Sequence, residues 1–379
     1  MSNLTGNMKY PDFLKQGGVI GCVAPSFGCN IEPYYSAFRN ACERFNAMGY
    51  KVDLGSNCFK GDGIGISSSP QNCGRELTEY YLSEENDILL SCGGGELMCE
   101  ILDYVDFKRL EKAKPKWYAG YSDNTNFTFL LTTILETVSI YSPCAPAMGM
   151  EPWHNSIQDL WELLHGRKFQ FTGYPYWERE SLKSAEQPLT PYNVTEPRIL
   201  HIYPSGIGEE SKNLQPDLKS EKEGKKTQTE EKNQENTEAI VVEGRVLGGC
   251  MDCLVNLLGT KYDNVVNYLE AYKKDGFLWF LESCDLNVFG IRRAIWQMEH
   301  AGWFQYVNGF MFGRPGCFGQ DMMGLDQYHA VVDLLQKYNV PIIMDMDIGH
   351  LPPAIPMLCG GYARVCAEGN NIDIDYMVR

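Results

Sequence analysis

Ser122 stands out in this chain because of what flanks it. Lys116-Trp117-Tyr118-Ala119-Gly120 has the aromatic and small residues of a buried strand. Phe127, Leu130, Leu131, Ile134 and Leu135 then recur at the spacing of an amphipathic helix. Asp123 and Asn124 are good N-cap types for that helix. A serine at such a corner lies at a helix N-terminus, where free backbone N–H groups and the helix dipole favour developing negative charge. Acyl transfer needs a hydroxyl beside donors aimed at an oxyanion. Taken alone, the segment also reads as a serine that simply caps a helix.

Leu89-Leu90-Ser91-Cys92-Gly93-Gly94-Gly95-Glu96 runs from an apolar strand into three glycines. Consecutive glycines let the backbone approach a ligand closely and turn N–H groups towards it. The spacing matches neither a P-loop nor a dinucleotide fingerprint. A second oxyanion donor is the more economical role, since nucleophile-elbow enzymes take one donor after the serine and another from a separate loop. Pro341-Ile342-Ile343-Met344 leads into Asp345-Met346-Asp347-Ile348-Gly349-His350-Leu351-Pro352-Pro353, which places His350 on a turn at a strand's end. Gly276-Phe277-Leu278-Trp279-Phe280-Leu281-Glu282 is a buried-looking strand that ends on a carboxylate. Such a carboxylate must be paired or hydrogen-bonded, and orienting a histidine would satisfy it.

Gly120-Tyr121-Ser122-Asp123, the strand-ending Glu282 and the Asp347-x-Gly-His350-x-x-Pro turn, in that order, resemble the LD-carboxypeptidase family of serine peptidases. That family takes in muropeptide LD-carboxypeptidases and microcin C self-immunity peptidases. The resemblance runs from Val23-Ala24-Pro25-Ser26 to the hairpin near the C-terminus. It implies Ser122 as nucleophile, His350 as base, Glu282 as its orienting acid, and an oxyanion hole from the backbone N–H groups of Asp123 and Gly94. It further implies a small peptide or muropeptide substrate, no cofactor and a homodimer. The muropeptide reading is release of terminal D-alanine in cell-wall recycling. The alternatives are cleavage of a peptidyl-nucleotide or aminoacyl-nucleotide, and a binding protein with a degenerate site. Two departures leave substrate choice open: Gly248-Gly249-Cys250 stands where the family often has Gly-Gly-Asn, and the glycine loop continues Gly95-Glu96.

The elements that must hold these residues follow from periodicity. Strands are expected at 19–23, 51–54, 87–91, 117–120 and 138–141, alternating with helices at 33–48, 73–82, 98–104 and 124–135. That alternation reads as a doubly wound parallel sheet, which binds ligands at the carboxyl ends of its strands. The rest is richer in strands (198–203, 239–246, 276–282, 309–312, 340–344 and a closing hairpin), with helices at 251–258, 290–300 and 325–338. The expected organisation is an N-terminal α/β domain over 1–150, a linker with a short helix over 151–190, and a strand-rich α/β C-terminal domain over 191–379. The active site would lie in the cleft between the two domains. Residues 208–238 have no aromatic, mix Lys and Glu, and read as a mobile surface insertion.

Composition narrows the function classes. At 379 residues the chain can bury two cores. A formal net charge of −16 argues against nucleic acid as a partner. No apolar run reaches membrane-span length and the N-terminus lacks signal-peptide regions, so a cytoplasmic enzyme is expected. The 14 cysteines are scattered and read as free thiols. Cys250-Met251-Asp252-Cys253 lacks the second pair that a zinc site wants, and Asp345 with Asp347 supplies too few ligands for a hard cation, so no metal is expected. His154, His165, His201, His300 and His329 read as structural, without a partner carboxylate at helical spacing. Arg75 and Arg314 are candidates for holding a substrate carboxylate, since guanidinium binds carboxylate bidentately.

Overall fold

The computed structural model describes residues 4–206 and 239–378. The 208–238 insertion expected from composition lies outside the described residues.

The architecture is mixed α/β in two halves. The first sheet has six strands. From edge to edge they are Met357–Cys359, Ser139–Tyr141, Trp117–Gly120, Ile88–Ser91, Val19–Val23 and Lys51–Leu54. The last five pair in parallel, with helices such as Tyr34–Ala47 and Pro70–Leu82 between them, as the alternating pattern requires. The sixth comes from near the C-terminus and joins antiparallel, with Met357 opposite Tyr141. The second sheet has eight strands around a parallel core of Ile240–Cys250, Phe277–Glu282, Val307–Gly313 and Ile342–Met346. Antiparallel strands flank that core: the Tyr362–Glu368/Asn371–Met377 hairpin with Gln170–Thr172 on one side, and His201–Tyr203 on the other.

The helix after Ser122 is the wedge between the halves. Every residue of Thr125–Thr133 is buried. A helix buried all round must satisfy its hydroxyls internally, and these do. Thr125 Oγ1 donates to the Ser122 carbonyl at 2.5 Å and Thr133 Oγ1 to the Phe129 carbonyl at 2.9 Å. Phe129 packs on Trp303 of the second half at 5.5 Å between ring centroids, so the two sheets share one apolar core across this helix.

Local departures from the sequence expectation have simple causes. Met98–Tyr104 is a 3₁₀ helix, and the turn carrying Ser122 is a separate 3₁₀ piece, Ser122–Asn124, ahead of the α-helix. Such short tight turns occur at helix starts and share the same apolar spacing. The expected 198–203 strand is only His201–Tyr203, because the Arg198 N–H donates to the Pro175 carbonyl and the Leu200 N–H to Asn370 Oδ1, outside that ladder; Glu196–Pro197, just before it, pairs with Tyr176–Trp177. Val265–Ala271, a two-turn helix, has too few residues for its periodicity to show in the sequence.

Candidate active site

Ser122 stands just beyond Trp117–Gly120, at φ 57°, a left-handed backbone that a serine adopts only when its surroundings hold it there. The backbone around it is tied on several sides. Its own N–H donates to Tyr141 Oη at 3.0 Å. Asn124 Nδ2 donates to the Gly93 carbonyl at 2.8 Å and to the Tyr121 carbonyl at 3.1 Å, which fastens the glycine loop to the serine turn. Gly94 faces the serine directly: a Cβ there would lie 3.0 Å from both Ser122 Cβ and Oγ. Among the described residues the Gly94 N–H has no hydrogen-bond acceptor, while its carbonyl takes the Phe27 N–H at 2.8 Å.

Asp123 is buried, with its side chain hydrogen-bonded within the first half. It accepts from Ser26 Oγ at 2.5 Å and from the Met98 N–H at 2.8 Å. Burial nevertheless pushes its carboxyl above the ordinary aspartate range, against those hydrogen bonds. The backbone N–H of Asp123 lies in the first turn of the helix, where such groups lack intrahelical partners.

Glu282 ends the central strand of the second sheet and is 1 % exposed. Its Oε2 meets His350 Nδ1 at 2.8 Å, and its Oε1 accepts from Tyr141 Oη at 2.5 Å. Burial pushes this carboxyl up. The charge of His350 and hydrogen bonds from His350, Tyr141 and Cys250 outweigh it, so Glu282 titrates below the ordinary range. For His350 burial pulls the imidazole down. The Glu282 charge, the adjacent Cys284 thiol and the hydrogen bond to Glu282 more than compensate, and the ring stays protonated well above ordinary histidine.

The His350 turn is braced from below. Asp347, fully buried, takes Arg314 Nη2 at 2.7 Å, Arg198 Nη1 at 3.4 Å and the Tyr174 N–H at 2.8 Å. Gly349 adopts φ 95°, and a Cβ there would stand 2.3 Å from Glu282 Oε2, so only glycine lets the turn close over the acid. The Tyr121 ring lies 4.9 Å from the imidazole, centroid to centroid. Among the described residues the Ser122 hydroxyl makes no hydrogen bond; contacts of this kind often tighten only when substrate binds. The arrangement can orient an imidazole by a carboxylate beside a strained serine turn and two backbone donors.

Arg314 is not a carboxylate anchor for substrate. Its guanidinium is buried and occupied by Asp347 and by the Asp345 and Leu351 carbonyls. Arg75 is exposed and hydrogen-bonds Asn72 within its own helix, one turn away. One histidine read as lacking a carboxylate at helical spacing has one: His329 meets Asp326, three residues earlier, at 2.9 Å, while His201 Nδ1 meets Asp345 Oδ2, distant in sequence, at 2.7 Å. All fourteen cysteines are free, and among the described residues no group of three His, Cys, Asp or Glu side chains could hold a metal. Tyr141 escapes the sequence reading. Its signal is a polar-tipped residue closing an apolar strand, the same signal that exposes Glu282.

The LD-carboxypeptidase N-terminal domain matches residues 20–142, and the LD-carboxypeptidase C-terminal domain matches residues 243–365. No curated protein matches the chain. Among solved structures, the MccF-like protein from Bacillus anthracis is similar at a TM-score of 0.73 and 19% identity, covering 97% of this chain and 100% of that one. Microcin C7 self immunity protein MccF in complex with aspartyl sulfamoyl adenosine has a TM-score of 0.73 and 18% identity, with 97% and 98% covered. The MccF-like protein from Streptococcus pneumoniae in complex with AMP has a TM-score of 0.70 and 19% identity, with 95% and 99% covered. At such identities these three likenesses speak for the fold. The two matched domains take in the serine turn, the glycine loop, the Glu282 strand and the His350 turn, and the chain belongs to the LD-carboxypeptidase family.

Proposed function

We propose that the protein is a serine hydrolase that cuts an amide-type bond through an acyl-enzyme, with an LD-muropeptide as substrate and terminal D-alanine as product. The observation that carries this reading is the Glu282–His350 pair, 2.8 Å apart, beside a serine held at φ 57°. His350 takes the Ser122 proton through Nε2 while Glu282 keeps the proton on Nδ1. Ser122 attacks the carbonyl, and the N–H groups of Asp123 and Gly94 hold the oxyanion. The imidazolium returns its proton to the leaving amine, and water then releases the acyl group. The setting is a cytoplasmic homodimer acting on a small substrate. Among the described residues no helix is long and apolar enough to cross a membrane.

A second reading is favoured by the structural neighbours, whose bound ligands are aminoacyl sulfamoyl nucleosides and AMP. Here the same machinery would cut an aminoacyl-nucleotide or peptidyl-nucleotide. An exposed aromatic side chain at the glycine loop, Phe27, would suit a nucleobase. The deciding experiment offers purified protein a tetrapeptide muropeptide and a peptidyl-adenylate, with Ser122→Ala as control, and follows products by mass spectrometry. Loss of D-alanine supports the first reading and release of the nucleotide the second. Turnover by Ser122→Ala, or of neither compound by wild type, refutes the serine mechanism or the substrate class respectively.

A further inference from the structure

We infer that Tyr141 is a positioning residue of the catalytic assembly, its hydroxyl clamping the backbone of Ser122 to the carboxylate of Glu282. The inference rests on the reading of Ser122, His350 and Glu282 as catalytic.

A phenol has one proton to give and lone pairs to receive with. Tyr141 uses both in a single direction: it accepts the Ser122 N–H at 3.0 Å and donates to Glu282 Oε1 at 2.5 Å. Donation to a carboxylate makes the phenolic oxygen a better acceptor, so the two bonds reinforce each other. The side chain is 2 % exposed, and the Phe280 and Tyr121 rings lie 5.4 and 6.3 Å from its own. Burial and the adjoining Glu282 charge hold its proton on at any working pH. It is a fixed donor.

Two consequences follow for the chemistry. The Ser122 N–H is taken up by Tyr141 and is not an oxyanion donor, which leaves that task to Asp123 and Gly94. Glu282, with one oxygen on His350, has its other oxygen satisfied by Tyr141. Among the described residues the further donor near this carboxylate is the Cys250 thiol, a weak donor whose own hydrogen bond runs to Asp252 Oδ2 at 3.3 Å. Removing the phenol concentrates charge on the carboxylate and strengthens its hold on the imidazolium. Other titratable groups facing the pair are Cys253, which feels the Glu282 charge, Cys284 beside the imidazole, and Tyr121 over it. None of these is bonded to Tyr141.

The test uses a fluorophosphonate, which reports the nucleophile whatever the natural substrate. Ser122 Oγ forms a bond to phosphorus, fluoride leaves, and His350 takes the serine proton. The inactivation rate is measured against pH for wild type and Tyr141→Phe, alongside thermal melting. Tyr141→Phe should react about 10- to 100-fold more slowly, the range for losing a hydrogen bond to a charged group. Its acid limb should move to higher pH, because His350 must be neutral to act and now holds its proton more tightly. Site-specific 3-fluorotyrosine at position 141, a stronger donor of the same shape, should move the limb to lower pH and covers the case in which the phenylalanine variant folds poorly. A slower rate with an unmoved limb in both variants would reduce Tyr141 to packing and overturn the inference. Wild type inert to the probe would instead sink the serine mechanism itself.

Discussion

Glu282→Gln is the sharpest test of the proposed mechanism, because the structure fixes what the amide must do. The carboxylate has His350 Nδ1 at 2.8 Å on one oxygen and the Tyr141 hydroxyl at 2.5 Å on the other. Glutamine offers one acceptor and one donor in the same volume. If its oxygen faces Nδ1, the useful tautomer survives, but the negative charge is gone and the Tyr141 proton is orphaned. If its nitrogen faces Nδ1, the ring must carry its proton on Nε2 and cannot accept one from Ser122. In the chymotrypsin-type case the matching change costs about four orders of magnitude in turnover, or about 5.5 kcal/mol of transition-state stabilisation. Substrate binding should change little, since the charge is needed only as the imidazolium forms.

The pH profile adds a signed prediction. His350 is pushed well above its ordinary value because Glu282 outweighs burial. As the base must be neutral, the acid limb of wild-type kcat/KM should lie above the ordinary histidine range. In Glu282→Gln the largest contribution opposing burial, the glutamate charge, is gone and only the Cys284 thiol is left to raise the imidazole, so the limb should fall towards the ordinary range. The ratio of wild type to variant is then largest on the alkaline plateau and shrinks towards acid. Stability follows the same linkage. A raised His350 pKa contributes stability that is complete below the ordinary value and is lost as pH rises through the folded one. The stability difference between wild type and variant should therefore change between neutral and strongly alkaline pH, read by urea unfolding. Turnover within tenfold of wild type, or an unmoved acid limb, would refute this reasoning.

Ser122→Gly should abolish hydrolysis yet raise the melting temperature, because glycine accepts φ 57° without strain; about 1 kcal/mol is at stake, and a lower melting point would show that the turn is not strained. Gly94→Ala should slow turnover at least about tenfold with stability little changed, since its new methyl group would stand 3.0 Å from Ser122 Oγ; unchanged turnover would place the oxyanion loop elsewhere. Asp347→Asn should cost about 3–5 kcal/mol in denaturant unfolding, because it leaves Arg314 and Arg198 buried without their counter-charge.

Much of the fold was legible because its strands are short apolar runs closed by polar or glycine corners. Val19–Val23, Lys51–Leu54 and Trp117–Gly120 fall where the pattern puts them. What stayed hidden depends on partners distant in sequence. Met357–Cys359 is three residues long, too short for any period, and becomes a strand only because Ser139–Tyr141 offers an edge. The candidate residues were visible as polar groups at the carboxyl ends of apolar strands, where an unpaired side chain is costly. Their interconnection was not. Nothing local in Tyr141 announces that it bonds a glutamate 141 residues away. Arg314 misled for the same reason. Its type suits a substrate carboxylate, while its burial beneath the His350 turn, against Asp347, is a tertiary fact.

The same long-range ties bear on how the cleft works. Inter-domain interfaces within a chain are often small and polar, and domain motion is then the default expectation. Here the halves are joined at the candidate site itself. Thr125 Oγ1 accepts the Cys250 N–H at 3.0 Å while donating to the Ser122 carbonyl. Tyr141 reaches from the first sheet to Glu282 on the second. His350 follows a strand of the second sheet, and seven residues later the chain enters a strand of the first, with Met357 opposite Tyr141. The imidazole therefore sits on a crossover anchored at both ends. A hinge between the sheets would have to break the phenol–carboxylate bond and pull on the Met357–Cys359 edge, and would draw Ser122, which follows a first-sheet strand, away from Glu282 and His350, which follow strands of the second. A serine turn, a carboxylate and an imidazole that follow strands in two sheets can keep their geometry only if the sheets do not move, and the Met357–Cys359 strand, which follows the His350 turn into the first sheet, and the buried helix tie them together.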